Sequence, residues 1–194
     1  VTKLKKEKTN TLPNFTKRSR AYLEIQNGCN HSCTFCIIPQ GRGLSKSVPM
    51  DTILEKIQNL VNKGFKEIVL TGVDITCWGS DIAGNDKLGD LVNNILNETP
   101  DLPRLRLSSL DVSEMDDNLL HVFKTNKRMM PHLHLSLQSG NNLILKRMKR
   151  RHSREQAIDV CRNLKVARPE LTFGADLIAG FPTESDTMFL DTIK

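Results

Sequence analysis

Three of the chain's five cysteines, Cys29, Cys33 and Cys36, fall inside the stretch NGCNHSCTFC. Thiolates this close together bind a soft metal or exchange disulfides. A structural zinc site takes four protein ligands, ordinarily as two close pairs separated by a longer span. The spacing C-x3-C-x2-C offers no second pair, and His31, the one histidine in the loop, would have to close a tetrahedron with its immediate neighbours. An iron-sulfur cluster suits the arrangement better, because the inorganic core supplies the bulk and a short loop can wrap three of its corners. Three cysteines then leave one iron open, a position where a substrate or cofactor can bind.

The rest of the chain must position that loop. At 194 residues, with 38% hydrophobic and 26% charged residues, it is the size of one well-buried soluble domain. No apolar run approaches the ~18 residues a membrane span requires. The opening VTKLKKEKTN is basic and polar with no apolar segment behind it, so it does not read as a secretory signal. The expectation is a cytoplasmic chain with reduced cysteines, which favours a metal or redox site over a disulfide framework. The first residue is Val1 and the last, Lys194, falls within the helical spacing of Met188, Phe189 and Ile193, so a fragment of a longer protein is expected. Residues 1–19 read as a basic lead-in and 20–194 as the folded core.

The net charge of +6 favours a polyanionic partner. Its distribution says more: Lys146, Arg147, Lys149, Arg150, Arg151 and Arg154 crowd one short stretch, and Lys3, Lys5, Lys6, Lys8, Lys17, Arg18 and Arg20 load the N-terminus.

Hydrophobic periodicity divides the chain into repeating strand-helix units. AYLEIQNG (21–28) alternates as a strand does, and DTILEKIQNLVNKG follows at helical spacing, with a Thr52 to Glu55 capping box expected to open it and Gly64 to stop it. EIVLTG (67–72) reads as a strand buried on both faces, followed by a helix around Leu88, Leu91, Val92, Ile95 and Leu96. RLRLSSL (104–110) precedes a short helix near Asn118–Lys124, and HLHLSLQS (132–139) precedes one opened by a Ser153 to Gln156 box. TFGADLIAGFP (172–182) supplies a fifth strand. Five such units fit a parallel α/β barrel, whole or partial, with a doubly wound open sheet as the other arrangement the periodicity allows.

Each strand runs into a small, polar or glycine-rich loop: the cysteines, TGVD (71–74), SSLD (108–111), QSG (138–140) and AGFPTE (179–184). In parallel α/β folds these ends share one rim, where active sites are assembled. Among the remaining candidates, Cys161 shares helical spacing with Ala157, Val160 and Leu164 and reads as core, and Cys77 in DITCWGSD reads as incidental although its loop is on the functional rim. His132 and His134 share a strand face without a third ligand, and Asp176 and Glu184 suit ligand hydrogen bonding or capping better than acid-base work.

The motif C-x3-C-x2-C after a first strand resembles the radical S-adenosylmethionine (SAM) enzymes. NGCNHSCTFCIIPQGRG, RLRLSS, HLHLSLQSG, ILKRMKRRHS and DLIAGFPTE together resemble the methylthiotransferases within that superfamily, from about residue 20 to the C-terminus. EIVLTGVDIT with HLHLSLQSG and ILKRMKRRHSREQA is most similar to the branch acting on N6-threonylcarbamoyladenosine beside the anticodon of tRNA. The chain departs from the pattern at Gln40, where relatives often carry an aromatic residue.

The resemblance implies a partial (βα)6 TIM-like barrel, shortened here to about five units, in which Cys29, Cys33 and Cys36 hold a [4Fe-4S] cluster whose open iron binds SAM. One electron would split the sulfonium, and a 5′-deoxyadenosyl radical would remove hydrogen from C2 of the modified adenine, chemistry beyond any general base at neutral pH. It implies no acid-base catalyst in the chain. Thr71 and Gly72 would offer backbone to the methionine amino group, and Ser109 and Gln138 would hydrogen-bond its tail or the ribose. Phe35, Ile178 and Gly180 would pack near the adenine. Arg42, Arg147, Lys149, Arg150 and Arg151 would meet tRNA phosphate. A second [4Fe-4S] cluster in a preceding domain, a small β-barrel domain that follows, and an electron donor of flavodoxin or ferredoxin type complete the implied machinery. Other readings are a methylthiotransferase for isopentenyl-adenosine in tRNA or for a ribosomal-protein aspartate, a radical enzyme acting on a small metabolite, and a zinc-stabilised RNA-binding module without catalysis.

Overall fold

The computed structural model describes residues 19–194. The basic positions Lys3, Lys5, Lys6, Lys8, Lys17 and Arg18 lie outside the described residues. Five strands run parallel in chain order: β1 (Arg20–Asn27), β3 (Glu67–Gly72), β4 (Arg104–Leu107), β5 (His132–Gln138) and β6 (Thr172–Leu177). Hydrogen-bonded ladders join β1, β3 and β4 on one side and β5 with β6 on the other. Bridges pairing Leu105 with Met129 and Leu110 with Leu135 carry the sheet across the gap. The result is a curled half-barrel, the partial TIM-like architecture expected from the sequence and distinct from a doubly wound sheet.

Period-two alternation decides what each face of this sheet holds. Leu23 and Ile25 of β1, Ile68 and Leu70 of β3, Leu105 and Leu107 of β4, and Leu133 and Leu135 of β5 share one buried core. The helices that cover it are α2 (Met50–Asn62), α3 (Leu88–Glu98), α4 (Asp117–Thr125) and α6 (Arg154–Ala167). They contribute Ile53, Ile57, Leu91, Ile95, Val122, Phe123 and Leu164 at helical spacing. Intervening strand positions place Glu67, Arg104, Arg106, His132 and His134 on the concave side. Among the described residues, no helix is long and apolar enough to cross a membrane.

Helix ends follow local chemistry, with one difference from expectation. The Ser153 to Gln156 capping box forms at α6 in both directions. The Thr52 to Glu55 box does not: Pro49, at φ −57° and ψ 144°, is the N-cap and α2 begins at Met50, so Thr52 is already inside the helix where its hydroxyl has no free amide to cap. Gly64, at φ +89°, stops α2 as expected. Among the short elements with no sequence counterpart are α1 (Ile38–Arg42), the two-residue antiparallel β2 (Lys46–Ser47) against the end of β1, and α5 (Asn142–Arg147). The first two fold the chain after the cysteines back onto β1, and α5 carries the basic stretch over the rim. The last helix, α7 (Asp186–Ile193), is opened by Ser185, whose hydroxyl accepts from the Met188 amide.

Candidate active site

The cysteine loop is clamped at both ends. Gly28, at φ +75°, sits where a Cβ would lie 2.1 Å from the Leu44 carbonyl oxygen, so only glycine lets β1 turn into the loop beside Gly43 and Leu44. Cys29 N–H then donates to the Gly43 carbonyl at 3.1 Å, and Asn30 Oδ1 accepts from Ser45 N–H at 2.9 Å. On the far side, Thr34 N–H and Oγ1 donate to the carbonyls of Met148 and Arg147 at 3.2 and 3.0 Å. The fully buried Gln26 organises the near side: its amide nitrogen reaches the Gly28 carbonyl at 2.7 Å, and its Oε1 accepts from the amides of Val73 and Asp74. Spacing and motif do not single out Gln26; a polar residue at the end of a buried strand is the signal the sequence offers.

All three motif cysteines are free and half-buried. Burial pushes the Cys29 thiol up to about 11, with the nearby Asp74 carboxylate adding to the rise and the His31 amide opposing it. Its Sγ donates to Asp74 Oδ2 at 3.4 Å.

Side chains from four segments meet beside the loop. The ligand atoms of His31, Asp74, Cys77 and Glu114 all lie within 4.8 Å of one another, a group that takes in none of the three motif cysteines. A cation already serves it, because Arg151 Nη1 donates to Glu114 Oε1 at 2.7 Å and lies 2.6 Å from His31 Nδ1. Cys77 is therefore not incidental to the rim. Its thiol, pushed up by burial and then by the Glu114 and Asp74 carboxylates, keeps its proton and donates to Glu114 Oε1 at 3.1 Å. His31 Nε2 faces Asp74, Glu114 and Cys77 at 3.1 to 3.3 Å, contacts that do not include the motif cysteines.

Behind this group lies Asp111, only 4% exposed. Its Oδ2 accepts from Arg150 Nη2 and Arg151 Nη2, each at 2.8 Å, while Oδ1 accepts from Ser113 N–H and Oγ. Burial alone would push the carboxyl up, but the His152 imidazole, the Arg150 charge and Ser113 together hold it well below the usual carboxylate range. Both guanidinium groups reach Asp111, but unequally: the Arg150 side chain is turned inward and 8% exposed, whereas that of Arg151 is 33% exposed and the residue lies open on the rim. Arg42, Arg147, Lys149 and Arg151 are exposed, as a phosphate-facing group must be.

The other predicted positions fall on one rim, because parallel strands bring their C-terminal ends together. Thr71 and Gly72 close β3, and a Cβ on Gly72 would sit 2.5 Å from the Gln26 carbonyl. Ser109 is exposed after β4, and Phe35 is 40% exposed within the cysteine loop. Gln138 ends β5 in the left-handed region, φ +72°, and its carbonyl accepts from Ile178 N–H at 2.9 Å. Gly180, at φ +75°, gives its N–H to Glu184 Oε2 at 2.7 Å, so Glu184 serves as a local loop cap. His134 does have a carboxylate partner, Asp176 Oδ2 at 3.4 Å. Cys161 packs against the core, as its spacing indicates.

Residues 23–194 match the model of the Radical SAM superfamily. The chain belongs to that superfamily. It is 48% identical, over its whole length, to a Rickettsia prowazekii protein named threonylcarbamoyladenosine tRNA methylthiotransferase MtaB, and covers 46% of that relative. A Bacillus subtilis protein of the same name is 39% identical over 93% of the chain, which covers 40% of it. A Shouchella clausii tRNA-2-methylthio-N(6)-dimethylallyladenosine synthase is 37% identical over 91% of the chain and is covered to 34%. The chain thus spans under half the length of these relatives. Among solved structures, the radical SAM methyltransferase TsrM from Kitasatospora setae, bound to tryptophan and a SAM analogue, superposes with a TM-score of 0.72 at 16% identity. That match covers 90% of the chain and 33% of TsrM, and it speaks to fold alone.

A radical SAM family implies a [4Fe-4S] cluster and SAM. The residues present fit a cluster: three free, half-buried thiols stand on a loop fixed at both ends, with a buried guanidinium, Arg150, against Cys33 to offset thiolate charge.

Proposed function

We propose that this chain is the radical SAM core, residues 20–194 with 1–19 as lead-in, of a cytoplasmic tRNA methylthiotransferase that adds a methylthio group to C2 of N6-threonylcarbamoyladenosine at position 37. The observation that carries the reading is the 48% identity along all 194 residues to a relative of that name, motif loop and rim included. Relatives named for dimethylallyladenosine are 37% identical, which supports isopentenyl-adenosine as the second reading.

Cys29, Cys33 and Cys36 hold the cluster in this reading. When bound, cluster and SAM supply a one-electron route to an aromatic C–H bond that no side-chain base can deprotonate. The chain's own residues bind and orient. Thr71 and Gly72 present backbone to the methionine end, Ser109 and Gln138 hydrogen-bond its polar groups, and Phe35, Ile178 and Gly180 give apolar contact to the adenine. The network of Asp111, Arg150 and Arg151 keeps the rim behind the cysteines polar and ordered. Arg42, Arg147, Lys149 and Arg151 contact tRNA phosphate, and the share expected of Arg150 falls to these exposed neighbours. A second cluster in a preceding domain and a flavodoxin- or ferredoxin-type donor belong to the same proposal.

Mass spectrometry of tRNA nucleosides tests it. Deleting the gene is expected to abolish 2-methylthio-N6-threonylcarbamoyladenosine and leave its unthiolated precursor, with restoration by the wild-type gene and not by Cys33→Ala. Loss of the isopentenyl-adenosine derivative instead transfers the assignment to the second reading, and an unchanged nucleoside profile refutes both.

A further inference from the structure

The segment after α5 is built to put one guanidinium against the cysteine loop. Met148 caps α5, and Lys149 then takes φ +57°, a left-handed conformation that a side-chain-bearing residue adopts at some cost. This reverses the chain so that Arg147 and Lys149 stay outside while Arg150 points in. The turn is held by Arg150 N–H donating to the Leu145 carbonyl at 2.8 Å. The same segment grips the loop through Thr34, whose amide and hydroxyl bond to Met148 and Arg147, so the approach of Arg150 is fixed at Cys33.

Inside, Arg150 Nη2 is shared between Asp111 Oδ2 at 2.8 Å and the Ser136 carbonyl at 2.5 Å, and Nη1 points to Cys33 Sγ at 3.7 Å. Its Nε has no hydrogen-bond partner among the described residues. Asp111 does not cancel this charge alone, because it is divided between Arg150 and Arg151. A buried cation carries a heavy desolvation cost unless something negative meets it, and Arg150 Nη1 is aimed at the Cys33 sulfur, a group able to carry further negative charge.

Resting on the reading that Cys29, Cys33 and Cys36 hold a [4Fe-4S] cluster, we propose that Arg150 is a positioning residue that tunes that cluster. Its Nη1–H bonds the Cys33 thiolate and favours the reduced, more negatively charged state, while Asp111 and Ser136 hold the guanidinium in place. Replacing it makes the cluster harder to reduce without removing any ligand. The substitution Arg150→Lys keeps the charge on a shorter stem without the forked donor, so it restores part of the effect.

An electron paramagnetic resonance titration of the reduced cluster, on the full chain reconstituted anaerobically, tests this with iron content measured in parallel. Arg150→Met is expected to keep wild-type iron and to lower the reduced-to-oxidised ratio at a fixed potential by about tenfold, 59 mV for one electron, with Arg150→Lys between it and wild type. Because Met leaves Asp111 short of one cation, the double variant Arg150→Met, Asp111→Asn removes both partners of the enclosed pair, and a smaller shift in the same direction is expected, since loss of the carboxylate offsets part of the loss of the cation. Wild-type iron with an unmoved potential in both variants overturns the proposal. So does reduced iron occupancy with an unmoved potential in the clusters that do form, which would make Arg150 a clamp on the loop and nothing more. Wild-type protein that takes up no iron refutes the cluster reading itself and this inference with it.

Discussion

The half-barrel carries a buried carboxylate at each end, and arginines meet both. At the lower end Glu67, 5% exposed, opens β3 and accepts from Arg20 Nε at 2.9 Å, Arg106 Nε at 2.8 Å and Arg104 Nε at 3.3 Å. At the upper end Asp111 follows β4 and meets Arg150 and Arg151. The lower cluster is a product of the sheet itself, since Arg20 pairs with Glu67 and Glu67 with Arg104 in adjacent ladders. No ladder presents the upper partners. They arrive on a loop beyond α5, through a left-handed turn at Lys149, and join the cysteine loop to the ends of two strands. The lower site stitches neighbours that already touch, whereas the upper one holds together segments that would otherwise separate, next to the residues that bear the chemistry.

That contrast predicts unequal consequences when each carboxylate is neutralised. Asp111→Asn leaves two guanidinium groups facing a neutral amide, one of them almost fully enclosed, and is expected to cost about 3–5 kcal/mol in urea unfolding, as loss of one partner of a buried pair does. Glu67→Gln should cost about 1 kcal/mol, because its arginines reach water and can solvate themselves. Equal losses at the two sites would remove the distinction. The effect of acid sharpens it. Both carboxyls titrate below their ordinary range in the folded chain: burial opposes this, and Arg106 and Arg20 overcome it at Glu67 as His152, Arg150 and Ser113 do at Asp111. A depressed carboxyl contributes stability that is present above its unfolded value and lost as pH falls through its folded one. The loss of stability below about pH 4 should therefore flatten more in Asp111→Asn than in Glu67→Gln, measured by thermal unfolding across a pH series.

The same contrast explains what can be read from the sequence. The five strands and the helices that cover them are legible, because apolar residues recur at the periods these elements impose and the core simply collects them. The cysteine loop is legible from spacing. The inward turn of Arg150 is not: a run of cations reads as an exposed, phosphate-facing edge, and the left-handed residue that redirects it is a lysine, not the glycine that would have announced it. Cys77 and His31 are likewise opaque, since their meeting with Asp74 and Glu114 depends on how separate strand ends converge. At α2 the capping box is a sound local signal overridden by Pro49, which sets the helix start before Thr52 can. The two residues of β2 are too few to leave any periodicity. Sequence reports what repeats, and the upper site is assembled from what does not.

The smallest expected effect concerns salt. Arg104 is 42% exposed and makes the longest of the contacts to Glu67, so Arg104→Ala should cost about 0.5 kcal/mol at low ionic strength. Raising salt from about 0.05 to about 1 M shrinks the screening length to roughly 3 Å and should erase even that, since two arginines remain on Glu67 and water replaces the third. The upper pair is enclosed and should respond little, so Asp111→Asn keeps most of its cost across the same series. Measuring both variants by urea unfolding at each salt concentration separates the two kinds of site. A cost at Arg104 that persists in high salt would mean that its stem packs against the sheet edge and that the lower cluster, too, is more than a solvated stitch.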